Sequence, residues 1–341
     1  MHSGIFIKRS LLTRVPFAVL LLLAALAIEG SMAATSYAQD YPNKSVRVIV
    51  PYAPGGQPDI VVRLLSQHLG TQLGQAFLVE NIPGANGIAA VNTLLKQPAD
   101  GYVIAHGDGS TWGIAPAMNP KLPYDPLKDF APIGLYGQSS GLFLVVNTDL
   151  GVASLQELIA LAKAKPGTLA YASAGIGSIH HLIMEDFKAT FGADLLHVPY
   201  KGSGQTIPAL AGGQVGISIG SFGAVSSYVK EGRIKILSVS TQKRSALAPD
   251  VPTMAEATGK PDFEHGGALG LLARAGTSRG VIEKLNTAMS KALALPEVQA
   301  RINAVGLEPV PDNRPEAQAE HMRYMLAKYT RVVKNSGIRA E

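Results

Sequence analysis

A strand that stops on glycines and passes directly into a helix recurs along this chain, and that grammar restricts it to an α/β fold. VRVIVPY, residues 46–52, is β-branched and apolar over a short length, as in a strand buried on both faces. PYAPGGQPD (51–59) follows. From Pro58 onward Ile60, Val61, Leu64, Leu65, Leu69 and Leu73 keep helical spacing, with Asp59 in the first turn and Gly70 or Gly74 as the stop. The same order returns in AFLVEN, GANGIAAVNTLLKQ and GYVIAHGDGS. A second series runs through GLFLVVN (141–147), a helix over 154–164, TLAYAS (168–173), a helix over 179–190 and LLHVPY (195–200), and ends in VGISIGS and IKILSVS. Alternation of this kind predicts mainly parallel sheets flanked by helices, and two series predict two lobes. Further helices are expected near 279–293, 296–304 and 315–335. The last aligns Met322, Met325, Leu326, Tyr329, Val332 and Val333 for packing onto a lobe.

The N-terminus reads as a cleaved secretory signal over residues 1–38. Lys8, Arg9 and Arg14 precede an apolar block from Val15 to Ile28, and Ser36-Tyr37-Ala38 supplies small side chains for a peptidase. That block is shorter than the roughly 20 residues a membrane span requires. The mature chain is expected to start near Gln39 and to diffuse freely in the periplasm, because the sequence holds no cysteine for a disulfide or a lipid anchor. The formal charge of +5 loses +2 with the signal. The remainder is dispersed, with no basic helical face, so nucleic acid is not an expected partner.

The glycine junctions carry the chemistry. PYAPGGQPD lacks the Gly-Lys-Ser/Thr of a P-loop and the G-x-G-x-x-G of a dinucleotide turn, which disfavours nucleotides. Glycines nevertheless let backbone approach a ligand, and the first amides of a helix point outward with partial positive charge, which suits a carboxylate. A tight turn without a ligand reads equally well from this loop alone. YASAGIGSIHHL (171–182) is a second such junction, with Ser178 placed to cap a helix and Gly175 and Gly177 opening the approach. Two junctions in two lobes would clamp a ligand between them. His180 and His181 with Glu185 have helical spacing for a metal but no third ligand, so a hydrogen-bonding or capping role is expected and no metal or cofactor. An enzyme alternative comes from GISIG (216–220), which fits a nucleophile elbow at Ser218, with Asp250, His265 and the HGGA of 265–268 downstream. It has the wrong context, since Ser218 lies inside an alternating strand rather than on a sharp turn.

PYAPGGQPD, NIPGANGIAAVNTLLKQPADGY, YASAGIGSIHHL, HVPYKGSGQTIPALAGGQV, KRSALAPDVPTMAEA and VVKNSGIRAE together resemble the tripartite tricarboxylate transporter substrate-binding proteins, the Bug family, over about residues 41–341. The resemblance implies a monomeric periplasmic binding protein of α/β class, whose lobes close on an organic carboxylate and hand it to membrane permease subunits. It implies lobe 1 from 39–141 plus 263–341 and lobe 2 from 142–262. It also implies ligand contacts from the loops matching 52–59 (Tyr52, Pro54, Gly55, Gly56, Asp59) and 173–181 (Ser173, Gly177, Ser178, His180, His181). Thr111 and Trp112 would join them from lobe 1, and Gly220, Ser221 and Phe222 from lobe 2. Three positions depart from the family pattern. Gly220 stands where relatives often carry an aspartate, which argues against a zwitterion and for extra room. Trp112 stands where a histidine is common and His180 replaces a small residue. An indole wall and an imidazole donor imply an aromatic or bulky mono- or dicarboxylate, while Trp112 packed in the lobe core with His180 facing solvent reads equally well.

Overall fold

Val46, Val48, Ile49 and Val50 are all buried, and the strand they form, β1 (Val46–Val50), is hydrogen-bonded on both sides. The structure, a computed structural model, describes residues 41–84 and 87–338. The expected signal segment lies outside them. Chain order continues with α1 (Gln57–Leu73), β2 (Phe77–Asn81), α2 (Ile88–Leu95), β3 (Val103–Gly107), a π-helical turn over Ser110–Ile114 continuing into α3 (Ala115–Met118), and β4 (Phe130–Ser139). The chain then builds β5 (Phe143–Asn147), α4 (Leu155–Ala164), β6 (Leu169–Ser173), α5 (Ile179–Phe191), β7 (Leu195–Pro199), α6 (Ser203–Ala211), β8 (Ile217–Gly220), α7 (Phe222–Lys230), β9 (Ile234–Val239) and α8 (Met254–Thr258). It closes with β10 (Ala268–Arg274), α9 (Arg279–Leu293), α10 (Pro296–Ala304), β11 (Leu307–Glu308) and α11 (Pro315–Ser336).

Two sheets result, one ordered β11-β4-β10-β3-β1-β2 and the other β7-β6-β8-β5-β9. The parallel expectation holds for β1 with β2 and β3, and for β6 with β7 and β8. It fails at the first strand after each crossing, and at the two-residue β11, which lies antiparallel to β4. β5 runs antiparallel to β8 and β9, and β10 runs antiparallel to β3 and β4. Each of these is the first strand after the chain passes from one sheet to the other, so it enters where its neighbours end. Within β5 the period of two sorts side chains between cores: Leu144 and Val146 join Tyr171, Phe187 and Ile219 on one face, while Phe143 and Val145 join Ile207, Leu210 and Val225 on the other.

β4 was not legible because FAPIGLYGQS has the composition of a loop. Its proline and glycines are accommodated by two register shifts against β10, which leave Ile133 and Tyr136 as the extra residues. Gly134 has φ 152°, and a Cβ there would run into the Asn313 carbonyl.

The lobes are joined through α5, α11 and the two crossing segments. Ile183, Met184 and Phe187 of α5 enter the lobe-2 core, while Leu182 shares a cluster with Trp112, Met322, Met325 and Tyr329. Ser240 fastens the crossings to each other: its Oγ donates to the His265 carbonyl at 2.9 Å and accepts from the Leu142 amide at 3.0 Å. Lys328 of α11, 4% exposed, donates to both the carbonyl and the carboxylate of Glu264, also 4% exposed, and Tyr324 donates to the same carboxylate. His265 Nε2 lies 3.0 Å from Asp186 Oδ2 on α5. A buried charge that loses its partner is costly, so Glu264→Ala is expected to lower unfolding stability by about 3 kcal/mol or more. Replacing the pair together, Glu264→Leu with Lys328→Met, should recover most of that loss in chemical denaturation.

Candidate functional site

The strand directions decide where the glycine loops meet. In the first sheet β1 and β3 end where β10 begins, with Gly107 opposite Gly270, and β4 ends there too, with Gln138 opposite Ala268. In the second sheet Gly220 and Val239 both pair with Phe143, the residue at which β5 enters. Both crossings therefore leave and enter by the carboxyl ends of the sheets, and the loops after β1, β3, β6, β7 and β8 are gathered at the junction between lobes. Open α/β sheets bind ligands at such an edge. Cavities of 880 and 740 Å³ line the C-terminal half of α1 with the start of β2 or with α9, at the other end of the first sheet, and do not belong to this junction.

In lobe 1 the loop after β1 is held by Asp59. This residue is 3% exposed, and its carboxylate accepts from the Gly55 amide at 2.9 Å, Arg63 Nε at 3.0 Å and Asn81 Nδ2 at 2.8 Å. Burial alone would raise its pKa, but those bonds outweigh it and keep Asp59 below the ordinary carboxylate range. Asp59 thus organises the loop and leaves no free group for a ligand. Pro54 and Gly55 are exposed, and Gly55 takes φ 81°, a conformation that favours glycine. Helix α1 starts at Gly56 with no side-chain cap, so the Gly56 and Gln57 amides have no partner among the described residues. Tyr52 is half-buried and its hydroxyl donates to Asp108 Oδ2.

Asp108 was not singled out from sequence, and it organises the second loop of this lobe. Besides Tyr52, it accepts from the Ser110 amide at 2.9 Å and the Thr111 amide at 3.3 Å, and its Oδ2 lies 3.3 Å from His106 Nε2. The opposite nitrogen of His106 is 2.6 Å from the Tyr136 hydroxyl, which the β4 bulge aims inward. Thr111 is 1% exposed, with its hydroxyl turned back to the Asp108 backbone at 3.0 Å. Trp112 takes the core position of its two readings: it is 0% exposed in lobe 1, edge-on to His321, and its Nε1 has no partner among the described residues. An indole with no accessible surface is not a ligand wall in this conformation.

In lobe 2 Ser178 caps α5 as the spacing predicts, accepting from the His181 amide at 3.3 Å and donating to the Gly175 carbonyl at 2.7 Å. Ser173 is buried; its hydroxyl accepts from the Gly175 amide at 3.1 Å and meets His197 Nε2 at 2.6 Å. The Gly177 amide donates to His181 Nδ1 at 3.1 Å, which makes that nitrogen an acceptor. His181 stacks on His197 at 4.1 Å, and His197 stacks on Tyr171 at 4.9 Å. This ring column props the loop from beneath. His180 is 8% exposed with Nδ1 unpartnered. Ser221 is exposed at the uncapped start of α7, Phe222 packs against Phe143, and Lys201 adds an exposed cation after β7.

Gly220 corrects an expectation. A Cβ there would come within 2.8 Å of Ile207 Cδ1 and 3.1 Å of Val225 Cγ1, so the room left by an absent acid is filled by the core. The nucleophile alternative also falls: Ser218 is 0% exposed, opposite Val145 in the sheet, and His265 faces Asp186. Among the described residues no group of three His, Cys, Asp or Glu is placed to hold a metal, and no helix is long and apolar enough to cross a membrane.

The sequence profile described as the tripartite tricarboxylate transporter family receptor matches residues 61–338. The chain belongs to that family. Protein BugT of Bordetella pertussis is 36% identical over 282 residues, covering 82% of this chain and 86% of that one. Among solved structures, an R. palustris protein with adipate is 31% identical with a TM-score of 0.75, covering 88% of this chain and 99% of that one. The periplasmic binding protein BugD is 29% identical with a TM-score of 0.74 over 88% of this chain and 100% of its own. MatC from Rhodopseudomonas palustris, with bound malate, is 31% identical with a TM-score of 0.73, covering 86% of this chain and 100% of that one. This family member is a solute receptor of two-lobed α/β fold, not an enzyme.

Two outcomes test the site's architecture. Gly220→Asp should lower stability by about 1–3 kcal/mol through overpacking against Ile207 and Val225, read by thermal denaturation. Burial pushes His180, His197 and His321 down to about 4, the neighbouring His181 adding to the shift at His197. These rings stay neutral in the fold while the unfolded chain takes up protons below about 6.5. Stability is therefore full above that pH and is lost as pH falls from 6.5 towards 4. Tm is expected to drop across this window, and His197→Phe should flatten part of the slope.

Proposed function

We propose that this receptor captures a small organic carboxylate in the periplasm, closes its lobes on it, and delivers it as a monomer to the permease subunits of a tripartite tricarboxylate-type transporter. The observation that carries this reading is the meeting of two glycine loops and uncapped helix starts at one edge, with Gly56 and Gln57 amides left unpaired. Backbone donors of this kind neutralise an anion without a dedicated arginine. Among similar proteins, those solved with adipate and with malate hold ligands of this class. Tyr52, Pro54, Gly55 and Gly56 from one lobe and Gly177, Ser178, His181, Ser221 and Phe222 from the other are the proposed contacts or their immediate supports. Trp112 is left out, and with it the ground for preferring an aromatic ligand.

A thermal-shift screen against mono-, di- and tricarboxylates tests the reading. A true ligand at about 100 times its Kd stabilises the fold by about 2.7 kcal/mol, which for a chain of this size is a rise of about 3–6 °C, with the ligand recovered unchanged. A screen in which no carboxylate moves Tm would sink the proposal.

A further inference from the structure

Asp108 places a negative charge of the protein's own at the ligand edge of lobe 1. It follows directly on β3, and its side chain is 15% exposed, so the carboxylate is neither sealed in the core nor loose in solvent. All of its accepting capacity is used: Oδ1 takes the Ser110 and Thr111 amides, and Oδ2 faces the Tyr52 hydroxyl and His106 Nε2. The Thr111 amide also donates to the Asp108 carbonyl at 3.1 Å, so it is the Ser110 amide that the carboxylate takes and that would otherwise be left open, as the Gly56 and Gln57 amides are at the start of α1. One of the two anion cradles in lobe 1 is thus already occupied from within, and Tyr52 couples the occupied cradle to the open one.

We propose that Asp108 is a specificity-determining residue, which leaves lobe 1 a single carboxylate position and selects a monocarboxylate, with a neutral or donor-bearing far end, over the dicarboxylate of equal length. The physical reason is like-charge repulsion at a poorly solvated edge. Burial pushes the Asp108 pKa up, but the hydrogen bond and charge attraction of His106, with the bonds from Tyr52 and Ser110, outweigh it and hold the carboxyl below the ordinary range, so Asp108 stays ionised. A second ligand carboxylate near it meets a fixed negative charge whose carboxylate already takes the Ser110 and Thr111 amides. Two charges of one sign separated by several ångströms at a partly buried site shift affinity by about tenfold or more.

This inference rests on the carboxylate-receptor reading, and the experiment separates the two. Calorimetric titration of the wild-type protein with the pairs hexanoate and adipate, butyrate and succinate, and 3-hydroxybutyrate and malate gives the ratio of affinities within each pair. The same pairs are then titrated into Asp108→Asn, which keeps an acceptor for the Ser110 amide, and into Asp108→Ser, a good capping residue that guards against a variant that folds poorly. The expected result is a wild-type preference for the monocarboxylate, and a dicarboxylate-to-monocarboxylate affinity ratio at least about tenfold higher in either variant. An unchanged ratio in the variants, or a wild-type preference for the dicarboxylate, overturns the role of Asp108 while leaving the receptor reading intact. Binding of neither member of any pair by wild type and variants overturns both.

Discussion

Everything at the ligand edge depends on how the chain crosses between its sheets. β5 and β10 each enter a sheet against the direction of their neighbours, so the crossing segments lie where the other strands end. Had either strand entered in parallel, its lead-in would have come from the opposite edge and the glycine loops of one lobe would have faced away from the other. Ser240 fixes the two crossings to each other, and the Glu264–Lys328 pair fixes α11 to the second of them. These are short polar links inside an apolar joint, where an unmade hydrogen bond or unpaired charge is expensive.

Acidic side chains play an unexpected part at a site built for anions. Asp59 and Asp108 both sit in the loops of lobe 1, and both are saturated by amides, an arginine, an asparagine, a tyrosine or a histidine. Asp59 spends the Gly55 amide to hold the loop in shape and leaves the next two amides outward. In lobe 2 the same job falls to neutral groups: Ser173, Ser178 and a column of Tyr171, His197 and His181 rings. The lobes therefore support equivalent loops by different means, one charged and one aromatic.

Local signals were legible where one residue decides the outcome. Ser178 as a cap, Gly74 as a stop with φ 73° and the spacing along α11 are properties of a few consecutive residues. Trp112 was left open between wall and core, and the surroundings of Gly220 were misread, because both depend on distant partners. Trp112 is surrounded by residues from α11, more than two hundred positions away, and the space beside Gly220 is filled by Ile207 and Val225. β4 escaped notice because its glycines and proline are compatible with a strand only through bulges against β10, itself far along the chain. Asp108 has three of its four partners, His106, Ser110 and Thr111, within three residues of itself, but the Tyr52 hydroxyl that ties it to the loop after β1 lies 56 positions away and reaches it only through folding.

By itself the sequence determined the α/β class, two series of strands and helices, the two glycine junctions and the family, because each rests on short-range periodicity or on contiguous motifs. Tertiary structure alone decided which strands run backwards, which loops share an edge, which histidines lose their protons and which of the conspicuous residues belong to the core. The reason is physical: backbone conformation and capping are settled within a helical turn, whereas burial, hydrogen-bond saturation and charge state are set by whatever the rest of the chain brings alongside.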